Sequence, residues 1–289
     1  MNQTPDSLSL DLPKKVNEEV TLLFVSFDLA RSTKFKKFYG NSQRWVKPFR
    51  RFYDFASSKV LDINISSEKK FRIWKLIGDE IVFTLVVENK NEVGEAVDAV
   101  YKVMKDLHSQ FWDPPDDDPF DIKLDVKSAA WIAKIDDKWN YYIPSEMLLA
   151  SELDPEIVQK IKRFDTNDYM GSSIDEGFRV ASMCSRAGRL ALSFEVSDCL
   201  VGTDKEQFVR HIGYKKLKGV WHDHHYPVVW YTPDLIADDK EIDYDDFLDK
   251  SSFLDFELKD EDESLRMPNV DIMKNIAVTL NLDRSEDLF

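Results

Sequence analysis

The segment that ends at Asp28 contains residues that could bind a metal ion and a phosphate. Asp28 closes an apolar run that begins at Val20, and Ser32 and Thr33 follow after a short turn. A carboxylate at the end of a buried strand can bind a hard cation that also contacts phosphate oxygens. The turn can direct successive backbone N–H groups at the same phosphate. Taken alone, however, such an aspartate is more often a helix cap.

A second acidic residue, Asp79, stands directly after Gly78 in the sequence KLIGDEI. Runs rich in β-branched and aromatic residues flank this pair from Phe71 to Val87, which predicts a tight hairpin with Asp79 exposed at its tip. A Gly-Asp step is also common in turns that have no function. This segment alone therefore does not identify a site.

The third segment, Asn167–Ala181, contains Asp168, Asp175 and Arg179. Asp175 and Arg179 are four residues apart and share one face of a predicted helix. The alternative interpretation is an ordinary surface ion pair between them. The three segments could belong to one site, although each of them alone is a weak signal.

The elements that must position these residues follow from hydrophobic periodicity. Continuous apolar runs predict buried strands, and apolar residues three to four apart predict helices. The first half is predicted to contain a strand at Val20–Leu29, a helix within Ser42–Ile63, the Phe71–Val87 hairpin, a helix at Glu92–Phe111 and a strand at Ile122–Ile135. The second half is predicted to contain one or two helices within Ser145–Arg163, a strand or loop at Phe164–Gly171, a helix at Ile174–Ser185, strands at Leu190–Phe194, Val209–Lys218 and Val228–Tyr231, and a short helix from Ser197. This order is typical of an α+β fold.

The composition excludes several classes of partner. The formal net charge of −15 over 289 residues argues against a nucleic-acid partner, because no basic stripe offsets it. The polar N-terminus lacks the apolar core of a signal peptide, and no apolar run approaches the roughly 20 residues of a membrane span. The two cysteines, Cys184 and Cys199, have no metal or redox spacing. We therefore expect a cytoplasmic chain without a membrane partner.

The charge pattern divides the chain into three parts. Residues 1–19 are a polar N-terminal segment, residues 20–233 contain the predicted strands and helices, and residues 234–289 are an acidic C-terminal appendage with scattered Phe and Leu. We expect the appendage to be partly helical and to pack on the main domain or on a partner. Three histidines, His222, His224 and His225, are expected in a connecting loop, because no fourth ligand stands at conventional metal-site spacing.

In this order and spacing, the segments resemble the catalytic domain of class III adenylate and guanylate cyclases. The resemblance covers Val20–Tyr231. It implies an α+β sandwich in which helices flank a central, mostly antiparallel sheet, and it implies a head-to-tail homodimer. The matching residues are Phe27, Asp28 and Leu29 with Ser32 and Thr33; Lys75, Gly78 and Asp79; Asp168, Gly171, Ile174, Asp175, Gly177 and Arg179; and the closing segment Lys216–Val220.

The resemblance also implies a role for each matching residue. Asp28 and Asp79, with the backbone carbonyl of Leu29, would bind two Mg²⁺ or Mn²⁺ ions per site. Arg179 would stabilise the transition state, and Asp175 would lie near the ribose. One chain would supply the metal aspartates, and its partner the base contacts and the arginine. The remaining assignments are Ala30, Arg31, Ser32 and Thr33 at the β- and γ-phosphates, and Lys75 and Asp168 at the base.

Several residues depart from the usual pattern of these cyclases. Asp175 replaces an asparagine, Arg31 a glycine, Val220 a phosphate-binding lysine, and Ala129-Ala130 a glycine pair. These departures resemble the bacterial pyrimidine cyclases of anti-phage signalling, which make cyclic UMP or cyclic CMP to activate a separate effector. The resemblance implies that the chain converts UTP, or CTP, to the 3′,5′-cyclic monophosphate and pyrophosphate.

Alternative functions follow from the same residues. A lysine donor beside an aspartate acceptor matches the edge of adenine as well as that of cytosine, and uracil in a shifted register. An adenylate cyclase is therefore the first alternative, and a cyclase-like nucleotide-binding module without catalysis is the second. A protein-interaction module built on the acidic appendage is the third. Trp74 and Tyr169 could narrow the base pocket, but aromatic residues at such positions more often pack in a core.

Overall fold

The structure is a computed structural model that describes residues 19–40, 44–66, 69–110, 124–136, 140–144, 167–184, 187–220, 225–233 and 256–258. The helices predicted within Ser145–Arg163 lie outside these residues, as do His222, His224 and all of the acidic appendage except 256–258. The division of the chain into three parts stays a prediction.

A large sheet is built around β1 (Val20–Ala30). This strand pairs in antiparallel fashion with β3 (Glu80–Val86) on one side and β4 (Asp125–Ile135) on the other. β2 (Arg72–Ile77) completes the predicted hairpin with β3 and forms one edge of the sheet. Residues of β1 are buried on both faces, which explains why its sequence is a continuous apolar run.

The other half of the sheet follows β4. β7 (Leu190–Leu192) pairs with β4 in parallel, and the remaining strands are β9 (His225–Tyr231), β8 (Val209–Lys216) and β10 (Phe256–Leu258). The strand order is β10-β8-β9-β7-β4-β1-β3-β2. A separate antiparallel pair contains β5 (Asn140–Pro144) and β6 (Asn167–Gly171). The predicted α+β fold with a mostly antiparallel sheet is confirmed.

Two long helices cover one face of the large sheet. They are α2 (Val46–Leu61) and α3 (Lys90–Gln110), and α1 (Ser32–Tyr39) precedes them. The apolar stripes of the helices pack on the side chains of β1 and β3 that point to this face, and together they form one core. It includes Phe52 of α2, Met104 of α3, Val25 of β1 and Phe83 of β3. Helical periodicity therefore predicted both helices to within a few residues of their ends.

The opposite face is covered by α4 (Ser172–Met183) and by an aromatic cluster. Phe24 stacks on Trp131 with ring centroids 5.5 Å apart. A Cβ on Gly177 would lie 2.0 Å from the Trp131 ring, so only glycine lets the α4 backbone lie this close to the indole. This contact fixes the position of α4, and therefore of Asp175 and Arg179. The cluster also contains Trp74, Tyr169 and Ile174.

Three predictions of secondary structure differ from the structure. His225 was expected in a connecting loop, but it is the first residue of β9 and pairs with Lys216. A strand was predicted over Leu190–Phe194 and a helix from Ser197, but α5 spans Phe194–Leu200. The reason is a helix cap, in which the Val196 N–H donates to Ser193 Oγ at 3.3 Å. In the acidic appendage, β10 pairs with β8, so its three described residues extend the sheet. Within the part of the chain that the structure describes, no helix is long and apolar enough to cross a membrane.

Candidate functional site

The fold brings Asp28 and Asp79 to the same end of the large sheet. Asp28 lies near the end of β1, directly opposite Glu80 on β3. Asp79 lies in the two-residue turn of the β2–β3 hairpin, and its backbone carbonyl accepts a hydrogen bond from the Leu29 N–H at 3.2 Å. The hairpin tip is therefore tied to the end of β1, which positions the two carboxylates together.

Helix α1 holds the Asp79 side chain. Ser32 Oγ donates a hydrogen bond to Asp79, and the Lys36 ammonium lies 3.3 Å from Asp79 Oδ1. From α2, the Tyr53 hydroxyl donates to the Gly78 carbonyl at 2.6 Å. Three elements thus fix a turn that would otherwise be free to move at the edge of the sheet.

The Asp28 carboxylate has a basic partner on the neighbouring strand. Lys127 stands opposite Asp28 in the β1–β4 register, and its ammonium lies 3.0 Å from Asp28 Oδ2. Burial raises the pKa of Asp28, the Lys127 ammonium opposes this rise, and repulsion from Asp79 adds to it. Burial opposes the charged form of Lys127, but the Asp28 carboxylate outweighs it and raises the lysine pKa.

A third carboxylate, Glu80, belongs to the same group. Burial raises the pKa of Glu80, a hydrogen bond from Ser26 lowers it, and repulsion from Asp28 and Asp79 raises it further. Three acids at the end of one sheet therefore favour any cation that neutralises them.

The sequence analysis did not identify Lys127, Lys36 or Glu80. A signal was present for two of them, because Lys127 and Glu80 are charged residues inside largely buried strands. A charge in such a strand needs a partner. Which residue would be that partner depends on the strand register, and the sequence does not give the register.

The turn before α1 has an unusual backbone. Arg31 is the helix N-cap, with φ 66° and ψ 10°, and within the described residues it is the only non-glycine residue with positive φ. This left-handed conformation costs a non-glycine residue roughly 1–2 kcal/mol. The first N–H groups of α1 lack partners within the helix and can bind an anion. Ala30 is half-buried, Ser32 is buried, and Arg31 and Thr33 are exposed.

Lys75 and Asp168 are brought into contact. The Lys75 ammonium of β2 lies 2.7 Å from Asp168 Oδ1 of β6, and about half of the Asp168 side chain is exposed. The same ammonium lies 4.5 Å from the centre of the Trp74 ring. Lys75 is about 13 Å along its strand from the Asp79 turn, at about 3.3 Å per residue. The pair is thus accessible but distinct from the acidic group.

Trp74 and Tyr169 lie in the aromatic cluster beneath the Lys75–Asp168 pair. Both are buried, and their ring centroids are 5.5 Å apart. The prediction that they pack in a core is confirmed.

Arg179 extends from α4 toward the turn that follows β8. A Cβ on Gly219 would lie 3.0 Å from Arg179 Nη1, so the guanidinium packs against this glycine, whose φ is 71°. Asp175 is exposed, and in the part of the chain that the structure describes no ion pair joins it to Arg179. The surface-pair alternative is therefore not observed. Among the described residues, no ion pair joins Arg179 to Asp28 or Asp79.

Two half-buried carboxylates, Glu176 and Glu195, form a second acidic pair, and Arg179 interacts with the first of them. Burial, together with the neighbouring Glu195 carboxylate, raises the pKa of Glu176 to about 8, although Tyr226 and Arg179 oppose the shift. Burial also raises the pKa of Glu195. Repulsion between the two carboxylates disfavours their simultaneous ionisation.

The acidic group has oxygen donors that suit a magnesium or manganese ion. Mg²⁺ commonly binds one or two carboxylates and completes its coordination with water and substrate phosphates. Asp28 and Asp79 provide two carboxylates, and the strand end provides backbone carbonyls. Within the described residues, no three His, Cys, Asp or Glu side chains form a complete ligand set. The carboxylate and carbonyl oxygens of Asp28, Asp79 and the strand end are of the type that Mg²⁺ or Mn²⁺ prefers.

No protein-family model and no curated protein sequence matches the chain. Solved structures do match. An adenylate cyclase from Trypanosoma brucei, described in its monomeric state, has a TM-score of 0.50 and 16% identity, over 76% of this chain and 90% of that one. The adenylyl cyclase CyaB from P. aeruginosa has a TM-score of 0.49 and 12% identity, over 74% of this chain and 95% of that one. At this identity the likeness concerns the fold, which is that of class III cyclase catalytic domains.

Proposed function

We propose that this chain, which has the class III cyclase fold, is a nucleotide cyclase that acts on a pyrimidine nucleoside triphosphate. UTP is the favoured substrate and CTP the second. The products are the 3′,5′-cyclic monophosphate and pyrophosphate. The observation that carries the proposal is the meeting of Asp28 and Asp79, from two separate segments, beside the N-terminus of α1.

The acidic group would hold the cofactor. Asp28, Asp79 and the Leu29 carbonyl are the residues that would bind two Mg²⁺ or Mn²⁺ ions. When bound, these ions lower the pKa of the ribose 3′-hydroxyl and neutralise the triphosphate. Ser32 orients Asp79 through their hydrogen bond. Burial and repulsion from neighbouring carboxylates disfavour the charged forms of Asp28 and Glu80, so a cation that binds here is stabilised by them.

The chain's own residues would bind and orient the triphosphate. The N–H groups at the start of α1 and the Arg31 side chain would bind the β- and γ-phosphates, because α1 begins shortly after Asp28. The 3′-hydroxyl would lose its proton to solvent water, and its oxygen would attack the α-phosphorus. The bond between the α-phosphorus and the oxygen that bridges it to the β-phosphate would then break, and pyrophosphate would leave with that oxygen. Arg179 would stabilise the charge that builds up on the α-phosphate oxygens.

A complete site would need two chains. Among the described residues, no ion pair connects the acidic group with Arg179, and Lys75–Asp168 is a separate pair. In a head-to-tail homodimer, the acidic group of one chain would face the Lys75–Asp168 pair and Arg179 of its partner. Each dimer would then have two sites, one at each end of the interface.

The preference for a pyrimidine is supported by the departures from the purine cyclases. Asp175 is exposed and is not paired with Arg179, so its carboxylate is available to accept hydrogen bonds from a ribose hydroxyl. Lys75 and Asp168 present a donor and an acceptor to the base edge, which suit cytosine and, in a shifted register, uracil, but do not by themselves exclude adenine. We propose that the product is a second messenger in antiviral defence that activates a separate effector.

An adenylate cyclase is the second candidate. The Lys75–Asp168 pair supports it, because adenine presents the same acceptor and donor as cytosine. A nucleotide-binding module without catalysis is disfavoured, since the chain retains Asp28, Asp79 and Arg179.

The test is to incubate the purified protein with Mn²⁺ and each of the four ribonucleoside triphosphates, and to identify the products by mass. Cyclic UMP or cyclic CMP supports the proposal, and cyclic AMP supports the second candidate. Asp79→Ala should abolish turnover, whereas Asp54→Ala, at a surface carboxylate that is 76% exposed, should not. If all four nucleotides remain unchanged with a dimeric protein, the proposed activity is wrong.

A further inference from the structure

Lys127 and Asp28 form a half-buried ion pair inside the candidate site. They stand opposite each other on β4 and β1, 3.0 Å apart, with 21% and 29% of their side chains exposed. A lysine in a buried strand is rare unless it is paired. The strand register, rather than a flexible side chain, holds this ammonium against the carboxylate.

The local charge is nearly balanced by two lysines. Asp28, Asp79 and Glu80 repel one another, while Lys127 contacts Asp28 and Lys36 contacts Asp79. Each of the two candidate metal-binding carboxylates, Asp28 and Asp79, therefore already has its own ammonium. A divalent cation that binds Asp28 must compete with Lys127 for the same carboxylate.

The Lys127 side chain has room to move. A cavity of about 290 Å³ separates this end of the sheet from α4. Its lining is largely polar near the ion pair and consists of Ser26, Asp28, Glu80, Lys127 and Ser128 on the sheet, with Phe178, Ala181, Ser182 and Cys184 on the other side. A flexible four-carbon stem lets an ammonium change partners within such a space.

We propose that Lys127 is an exchangeable counter-ion, which leaves Asp28 when a divalent cation binds and then contacts the triphosphate. This inference rests on the proposed function. The Lys127 ammonium lies 3.0 Å from Asp28. A phosphate that binds the same metal ion as Asp28 would therefore lie within reach of this ammonium. Lys127 thus opposes the binding of the metal alone and favours the binding of the metal together with the phosphates. The metal ion and the triphosphate would therefore bind to the site together.

The test compares Lys127→Met with Lys134→Met, a change on the same strand at a lysine that pairs with Glu19 at 2.7 Å. Mn²⁺ binding is measured without nucleotide, from the paramagnetic resonance signal of the free ion. Inorganic tripolyphosphate binding is then measured at saturating Mn²⁺. Lys127→Met should bind Mn²⁺ about tenfold more tightly, because removing a unit charge close to the ion is worth at least that much at a protein surface.

The same variant should bind tripolyphosphate about fivefold more weakly, since it has lost a cation next to the phosphates. If Lys127 had only a structural role, Lys127→Met would bind both Mn²⁺ and tripolyphosphate more weakly. Tighter binding of Mn²⁺ together with weaker binding of tripolyphosphate therefore identifies the exchange of partners. Lys127→Arg should stay within about twofold of the wild type for Mn²⁺, because it keeps the charge. If the Lys127→Met protein does not fold, the same two binding measurements are made with Lys127→Gln, which also removes the charge.

Unchanged or weaker Mn²⁺ binding in Lys127→Met overturns the proposal, as does unchanged tripolyphosphate binding. Neither measurement needs turnover. If both affinities change as expected while no nucleotide is cyclised, the counter-ion role stands and the proposed cyclase activity fails.

Discussion

The Lys75 ammonium lies 2.7 Å from the Asp168 carboxylate and joins β2 of the large sheet to β6 of the small one. The pair lies on the buried Trp74 and Tyr169, so the aromatic cluster beneath it provides a rigid base. A donor and an acceptor held in this way can recognise the edge of a nucleobase without first being ordered.

Replacement of Lys75 or Asp168 by alanine should impair nucleotide recognition and leave the fold intact. We expect KM to rise about tenfold or more, since a hydrogen bond to a charged group is worth about 1.5–3 kcal/mol. Because the pair is exposed, the free energy of unfolding should change by less than about 1 kcal/mol. Steady-state kinetics with each nucleotide and urea denaturation test this. An unchanged KM in both variants would rule out a role in base recognition.

Asp79→Ala and Arg179→Ala should each abolish turnover and complement each other when mixed. In a head-to-tail dimer, a mixed pair has one site that lacks both residues and one site that lacks neither. Equal amounts should recover about a quarter of the wild-type activity, because half of the dimers are mixed and half of their sites are intact. The measurement is turnover after co-refolding of the two variants. If a confirmed mixed dimer has no activity, Asp79 and Arg179 of each site come from the same chain, and the head-to-tail arrangement is wrong.

Gly177→Ala should destabilise the protein, since its Cβ would lie 2.0 Å from the Trp131 ring. We expect a loss of about 1–3 kcal/mol, the usual cost of an overpacked core. Gly40→Ala is the matched control, because its φ of −55° suits alanine and nothing lies within 4 Å of the added Cβ. Chemical denaturation of both variants makes the comparison. Equal midpoints would mean that α4 does not rest on Trp131.

Glu176 should make stability depend on pH. Its pKa is raised from 4.5 to about 8 by burial and by Glu195, so the folded protein keeps a proton that the unfolded chain releases. Between these pH values unfolding releases a proton, and the free energy of unfolding therefore falls as pH rises. Above about pH 8 this loss is complete. Glu176→Gln should flatten the profile, whereas the exposed Glu95→Gln should keep the wild-type slope. Denaturation midpoints from pH 5 to pH 9 test this, and parallel profiles for all three proteins would contradict it.

Local patterns predicted most of the described fold. The apolar run before Asp28 forms β1, as predicted, and the runs on either side of Gly78 form the β2–β3 hairpin. Both could be predicted because the pattern of apolar residues in a segment indicates that it is a buried strand. The error at Phe194 arose because Ser193 follows the strand directly and caps a helix, so the next apolar residue belongs to that helix. Apolar character alone does not distinguish a short strand from the first turn of a helix.

The sequence by itself determined which segments are strands and helices, and which acids and cations are candidates for chemistry. Only the tertiary structure decided which of these residues meet. It joined Asp28 to Lys127 through the strand register, Asp79 to Ser32 through the position of α1, and Lys75 to Asp168 across two sheets. The physical reason is that periodicity is a local property of the chain. The register between strands that are distant in sequence depends instead on how every buried face packs at once.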